Sequence, residues 1–395
     1  MSVRNGRQFL SIPGPTTVPD EVLAAMHRPA IDIREGELVA VTERLRKSLC
    51  DIVQSKGTPY FYIANGHGAW EAALSNVLSR DDKVLVLESG VFATGWGQAG
   101  GTIGLDIEVL PGSWTAAVKP EAVEERLKAD ISGDIKAVLV VQVDTASSVV
   151  NDIPAIRQAM DNAGHDALLL VDTIASLGTT LYKMDEWRVD VTVAACQKGL
   201  MMAPGLSFTV VSDKALERHK TATLRTAYWD WSAREGPEHY QKYSGTPPVH
   251  LLFGLEKAFE MIEEEGLEAI FLRHRLLAGA TRAAVSKWVE GGVLSFNITD
   301  PTERSNSVTT VRLADTETLN AIHGYCEQKC GVIVGVGIGA FTGKALRIAH
   351  MGHLNAPMLF GTLGSIDMSL KALGIAHGDG AVQAAIDYLA ENVSA

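Results

Sequence analysis

The chemistry of this chain gathers at the ends of two apolar runs. Ala167-Leu-Leu-Leu-Val-Asp172 closes on a carboxylate, and Val189-Asp-Val-Thr-Val-Ala-Ala-Cys-Gln197-Lys198 closes on an amide and an amine, 26 residues beyond Asp172. Read singly, Asp172 is a turn or helix cap and Lys198 a solvated lysine after a strand. Read together they meet a specific demand. A lysine that forms a Schiff base must be desolvated enough for its amine to be neutral and nucleophilic, and a pyridine ring used as an electron sink needs an acidic partner that keeps its nitrogen protonated. The spacing accommodates a strand, a connection and the next strand, so both side chains reach one crevice beyond the carboxyl ends of neighbouring strands. A third element, Asn65-Gly66-His67-Gly68, follows the run Tyr60–Ala64 and opens a helical pattern. A strand, a glycine turn and a helix start point backbone N–H groups and a helix dipole at an anion; the same residues also read as a plain strand–helix turn.

The elements that must position these residues alternate along the chain. Apolar runs at Tyr60–Ala64, Lys83–Leu87, Ile107–Leu110, Ala137–Val143, Ala167–Val171, Val189–Ala195 and Leu206–Val211 are short, mostly β-branched and flanked by Gly, Asp or Pro. Strands buried on both faces read this way. Helical patterns such as Pro120–Ala129 and Pro154–Ala163 lie between them, each opening on proline. The alternation predicts an α/β fold with a mainly parallel, seven-stranded sheet between helices. Lys214 to about Pro248, rich in aromatics, Gly and Pro, reads as a long irregular loop. Helices are expected over Val249–Glu265 and Leu267–Val289. Strands near Val293–Ile298, Ser307–Leu313 and Val332–Val336 then form a smaller α+β C-terminal domain. We place an N-terminal segment at 1–20, a large domain at 21–265 and a small domain at 266–395.

Composition narrows the function classes. The 395 residues exceed one small core by the guide of roughly 100–200 residues per domain. The net charge of −12 and pI near 5.4 argue against general nucleic-acid binding, which draws on clustered Lys and Arg. No run of 18 apolar residues suits a membrane span, the N-terminus lacks a secretory apolar region, and Asn-Val-Ser-Ala at the C-terminus is no peroxisomal address. A cytoplasmic enzyme is expected. Four cysteines make no disulfide framework. Cys50 and Cys196 read as core residues, and Cys326 and Cys330 as thiols on one helix face without further metal ligands.

Several motifs are decoys. Gly335, Gly337 and Gly339 lead into the strand-like Ala345–Ala349 rather than a helix, unlike a dinucleotide fingerprint, and Gly343-Lys344 lacks the remaining residues of a Walker A loop. His350 and His353 have no third ligand nearby, so no metal site is expected. No Gly-x-Ser-x-Gly elbow occurs.

The ordered motifs resemble those of the class V, fold-type I pyridoxal-phosphate aminotransferases, in particular the serine/alanine–glyoxylate aminotransferases. The resemblance runs through Ile12-Pro-Gly-Pro15, Gly66-His67, Leu-Val-Asp172-x-x-Ala-Ser-Leu-Gly178, Gln197-Lys198-Gly-Leu, Tyr243-x-x-Thr246-Pro247 and Gly343-Lys344-x-x-Arg347-Ile348-x-His350-x-Gly352. It implies the fold-type I PLP-transferase architecture and pyridoxal 5'-phosphate as cofactor. Lys198 would hold it as a Schiff base and then move protons. Asp172 would pair with its pyridine nitrogen and Phe92 stack on its ring. Asn65, Gly66, His67 and Gln197 would hold its phosphate, Tyr243 and Thr246 reaching in from the second subunit of a homodimer with shared sites. Ser147 falls among the cofactor-contacting residues, and Arg347 would clamp the carboxylate of the amino acid or 2-oxo acid substrate.

The chain departs from the family at informative places. The family's Glu-Thr/Ser-Ser-Thr-Gly-Val segment reads Asp144-Thr145-Ala146-Ser147-Ser148-Val149, its Asp-His-Arg-Gly reads Asp32-Ile33-Arg34-Glu35, and Asn65 replaces a serine. These changes bear on substrate, not on fold. Transamination from serine, alanine or a similar small amino acid to glyoxylate or another short 2-oxo acid is the leading expectation. Aspartate, 2-aminoethylphosphonate and ureidoglycine remain open as donors. A lyase of the cysteine desulfurase type, using Cys326 or Cys330, and a non-catalytic scaffold are the other readings.

Overall fold

The computed structural model describes residues 2–393. Its strands of three or more residues are β1 (Phe9–Ser11), β2 (Thr58–Tyr62), β3 (Lys83–Leu87), β4 (Asp106–Leu110), β5 (Ile135–Val141), β6 (Leu168–Asp172), β7 (Val191–Ala195), β8 (Ser207–Val211), β9 (Leu294–Phe296), β10 (Val308–Leu313), β11 (Val332–Val336) and β12 (Ala345–Ala349). Seven of them form one sheet in the order β2-β8-β7-β6-β5-β3-β4. Its pairings are parallel except for those of β8, which runs antiparallel to both β2 and β7. Consequently β2, β3, β5, β6 and β7 all end on the same side. Every residue of β6, β7 and β8 is buried, which is why those strands read as unbroken apolar runs. The edge strand β4 exposes Asp106 and Val109.

The second sheet has the order β1-β11-β12-β10-β9. Phe9–Ser11, expected within a separate N-terminal segment, is its edge strand and lies parallel to β11. The two cores meet where helices Val249–Glu265 and Leu267–Trp288 join at Gly266. The first helix buries Leu252, Phe259 and Ile262 with the large sheet, and the second buries Leu277, Ala284 and Trp288 with the small one.

Local chemistry explains where the expected elements shift. The run Ala137–Val143 breaks at Gln142, after which Val143 and Asp144 pair in a two-residue ladder with Val149 and Val150. The segment after Lys214 is not all irregular. Helix Asp213–Thr221 forms because the Ser212 hydroxyl accepts from the Ala215 N–H at 3.2 Å, a side-chain cap at the helix start. Beyond it, the buried Arg234 donates to the carbonyls of Phe61 (2.7 Å), Lys242 (2.9 Å) and Tyr228 (2.6 Å), its guanidinium 4.7 Å from the Tyr62 ring centroid. That cation, solvated by carbonyls, pins the aromatic segment to β2. The helix expected to carry both cysteines ends at Tyr325, and Cys326–Cys330 form a wider π-type turn.

His350 is a core group of the smaller half. It is fully buried, with Nδ1 on the Asn306 carbonyl at 2.8 Å and Nε2 on the Thr309 hydroxyl at 2.9 Å. Nδ1–H donates and Nε2 accepts, an arrangement open only to the neutral ring. Burial, reinforced by the charge of Arg282, pushes its pKa down to about 3. A histidine that stays neutral when folded stabilises the fold above its unfolded pKa of about 6.5, and that stabilisation is lost as pH falls towards the folded value. His350→Asn is therefore expected to destabilise the protein at pH 7.5. Its deficit relative to wild type narrows by about 1.4 kcal/mol per pH unit below pH 6.5, as read from denaturant melts at pH 7.5, 6 and 5.

Candidate active site

Five strand ends converge on one cavity of about 150 Å³. Asn65, Gly66 and His67 arrive after β2, Phe92 after β3, Thr145 after β5, Asp172 at the end of β6, and Gln197 and Lys198 after β7. Helix Gly66–Val77 begins at the cavity wall, where the Asn65 side chain accepts the His67 N–H at 3.1 Å. The positive end of that helix faces the cavity wall, a place that suits an anion, and Gln197 lines the same cavity.

Asp172 is 3% exposed and held at both oxygens. Oδ1 accepts the Ile174 N–H at 2.7 Å and Oδ2 the indole N–H of Trp70 at 2.6 Å. Burial dominates these donors and raises its pKa to about 7. A carboxylate so placed gains most from a cationic ring nitrogen set beside it.

Lys198 lines the same cavity, half-buried. Burial, then the charge of Arg347, lowers its pKa to about 8, against the pull of Asp172 and Asp144. Its Nζ donates to the Pro13 carbonyl, and the Thr16 hydroxyl donates to the Lys198 carbonyl at 2.9 Å. The N-terminal stretch thus closes over the lysine. Gly14 is required there: its φ is +91°, and a Cβ would stand 2.3–2.5 Å from Cδ, Cε and Nζ of Lys198.

The residues picked from sequence divide into three groups. Asn65, Gly66, His67, Phe92, Asp172, Gln197 and Lys198 line the cavity. Arg347 stands beside it, fixed by Nε–H to the Val336 carbonyl at 2.6 Å and Nη1–H to the Thr145 carbonyl at 3.1 Å. Ser147, Tyr243 and Thr246 lie outside it. Ser147 is fully buried, and its hydroxyl reaches the Asp144 carbonyl and the Val149 N–H, both at 3.4 Å, because the loop turns it away from the cavity. Tyr243 is 1% exposed and its hydroxyl meets that of Thr42 at 2.7 Å, with His239 on the same hydroxyl at 2.9 Å. Within its own chain this tyrosine is therefore paired with Thr42 and not with the cavity. Thr246 is exposed.

Trp70, Thr145, Asp144 and Pro13 carry no assigned role in the sequence reading, although Pro13, Asp144 and Thr145 fall within its motifs. Trp70 could have been given one: it lies one helical turn after Gly66, and an indole N–H near a buried carboxylate must donate to something. Asp144 gave no such signal. Its fully buried carboxylate accepts the N–H groups of Phe92 (2.8 Å), Ala93 (3.1 Å) and Ala146 (2.9 Å). Ser148, standing where the family has glycine, keeps a left-handed φ of +67° at a cost of about 1 kcal/mol.

Comparison with known proteins agrees with this geometry. The model of the family "Aminotransferase class-V" matches residues 9–351. The chain is a class V aminotransferase. This aminotransferase is 38% identical to the serine–glyoxylate aminotransferase of Methylorubrum extorquens, over 98% of each chain. It is 35% identical to the L-aspartate–glyoxylate aminotransferase of Paracoccus denitrificans, over 92% of this chain and 91% of that one. Its fold superposes on the pyridoxamine–pyruvate aminotransferase of Mesorhizobium loti with a TM-score of 0.88, covering all of both chains at 26% identity. The family implies pyridoxal phosphate, and the aminotransferase's own residues fit it: a buried carboxyl near neutral pKa, a lysine of lowered pKa, an aromatic ring at Phe92 and a helix N-terminus share one cavity.

Proposed function

We propose that this aminotransferase moves the amino group of a small amino acid, serine or alanine, to glyoxylate or another short 2-oxo acid. It would use pyridoxal 5'-phosphate in a homodimer with shared sites. The observation that carries the reading is the joint placement of Asp172 and Lys198 in one cavity, each with its pKa drawn towards neutrality. The cofactor, when bound, supplies the electron sink that lets the amino acid Cα lose its proton. Lys198 Nζ is the group that holds it covalently and then carries the proton. The Asp172 carboxylate, oriented by Trp70 and Ile174, keeps the pyridine nitrogen protonated. Phe92 offers an apolar face to the ring. Asn65, Gly66, His67 and Gln197 hold the phosphate, and because that cradle presents neutral donors, a partner subunit's loop around Thr246 is the natural source of the remaining contacts.

Arg347 binds the substrate carboxylate, its planar fork set by the Val336 and Thr145 carbonyls. Among the described residues, Lys198 is the one lysine or arginine that lines the cavity, so small neutral donors suit it better than aspartate or a phosphonate. Ureidoglycine, uncharged beyond its own amino acid groups, is the remaining alternative. The desulfurase reading gains no support, since burial pushes the Cys326 thiol up to about 12, the wrong direction for a nucleophile.

Steady-state assays with glyoxylate and each donor in turn decide the matter. Serine or alanine should give the highest kcat/KM, and a preference for aspartate or aminoethylphosphonate would overturn the donor assignment. Equilibrium sedimentation of the holoenzyme at micromolar concentration should give a dimer, and a monomer of full activity would refute the shared site.

A further inference from the structure

The loop Asp144–Ser148 touches both halves of the molecule in a way that ordinary turns do not. On its large-sheet side, Asp144 supplies what helix Val91–Thr102 lacks. That helix starts at Gly90, which has no side chain to cap it, and the Asp144 carboxylate takes the Phe92 and Ala93 N–H groups from more than 50 residues away. The fit is close: a Cβ on Gly90 would lie 2.3–2.5 Å from the Asp144 carboxyl atoms. On the other side, four consecutive carbonyls are taken by donors from the smaller half. Thr145 accepts from Arg347 at 3.1 Å, Ala146 from the Thr310 hydroxyl at 3.3 Å, Ser147 from the Asn297 amide at 2.8 Å and Ser148 from the Ser305 N–H at 3.1 Å. The Ser148 hydroxyl adds a fifth link, accepting the Thr310 N–H at 3.2 Å. A non-glycine residue in left-handed backbone persists only where the surroundings impose that path.

We propose that Asp144 is a positioning residue of the active site, fixing the Phe92 ring through its helix cap and the Arg347 guanidinium through the loop it anchors. One buried carboxylate thereby sets the distance between the face that packs on the cofactor and the clamp that holds the substrate carboxylate. The proposal rests on the assignment of Phe92 and Arg347 to those tasks. Its first readout, in the apoprotein, does not.

Asp144→Asn keeps the shape but removes the charge that strengthens the cap, and turns its amide N–H₂ onto one set of backbone donors, those of Phe92 and Ala93 or that of Ala146. In the apoprotein, amide exchange at Phe92 and Ala93 should quicken about tenfold or more while exchange in β6 and β7 is unchanged. In the holoenzyme, KM for the 2-oxo acid should rise about tenfold with kcat within about threefold of wild type, because misplacing a clamp weakens binding before it alters chemistry. Should Asp144→Asn fail to fold, Ser148→Gly tests the same loop: it frees the Thr310 N–H and should raise KM about threefold with exchange at Phe92 unaltered. Faster exchange at Phe92 with unchanged KM would reduce Asp144 to a structural cap. Unchanged exchange at Phe92 and Ala93 in Asp144→Asn, or unchanged KM in Ser148→Gly where that is the variant available, would overturn the proposal. If exchange responds as expected while no donor supports turnover in wild type, the functional assignment fails and the cap stands.

Discussion

Lys198→Ala is expected to lower transamination by at least about 10⁴-fold, since it removes both the nucleophile and the proton carrier from a site where the described residues supply no second amine. Nothing else in the cavity can substitute. Asn65, Gln197 and Thr145 carry no basic nitrogen, and His67, its pKa lowered by burial and by Lys198, stands in the first turn of helix Gly66–Val77. The variant should still bind the cofactor reversibly, because cradle and ring contacts are intact, but should lose the visible band of the lysine-linked form. The lowered pKa of Lys198 adds a pH signature. With a pKa of about 8, roughly one amine in ten is neutral at pH 7. Cofactor uptake by the wild-type apoprotein should accelerate from pH 6 and level off above about 8, whereas an ordinary solvated lysine would keep gaining beyond pH 10. Rapid-mixing spectra across that range separate the two.

The second large effect is expected from Asp172→Asn, which should lower kcat by about 10²–10³-fold, the range seen when one preorganised electrostatic partner is removed. An asparagine can still accept the Ile174 N–H, but its amide then meets the Trp70 indole N–H donor to donor. Trp70→Phe separates the two losses. It keeps an aromatic ring and the carboxylate but deletes the 2.6 Å hydrogen bond, so a loss of only about tenfold is expected, with the same direction. If Trp70→Phe were as damaging as Asp172→Asn, orientation rather than charge would be the contribution of Asp172. Kinetics of both variants with a saturating donor provide the comparison.

How much of this could be read from the sequence depends on whether a residue acts alone or through geometry. Asp172 and Lys198 were legible because strands buried on both faces advertise themselves as apolar runs, and a charged residue at the end of such a run must stand at the sheet's carboxyl edge. The bounds of β3, of helix Pro120–Ala129 and of helix Val249–Glu265 follow directly from their apolar pattern and end residues. Asp144 was not legible as an anchor, because its partners are backbone N–H groups more than 50 residues earlier, and backbone leaves no mark in a sequence. The burial of Tyr243 depended on Thr42 and His239, which meet it only through the fold. Ser147 rests on resemblance alone: its hydroxyl stays within the loop, on the Asp144 carbonyl and the Val149 N–H, and the path of that loop turns on the left-handed backbone of Ser148, which the sequence does not display. Helix Asp213–Thr221 was missed because the aromatics that follow it dominated the composition of the segment, although the Ser212 cap was present in the sequence.

The most direct test of the central claim is the visible spectrum of the purified holoenzyme, titrated with a single amino donor and no acceptor. A lysine-linked cofactor gives a yellow band, and transfer of the amino group to the cofactor removes it. The expected result is a band that bleaches with serine or alanine, returns on addition of glyoxylate, and is absent from Lys198→Ala. A wild-type protein that shows no band after incubation with pyridoxal phosphate would contradict the account at its root.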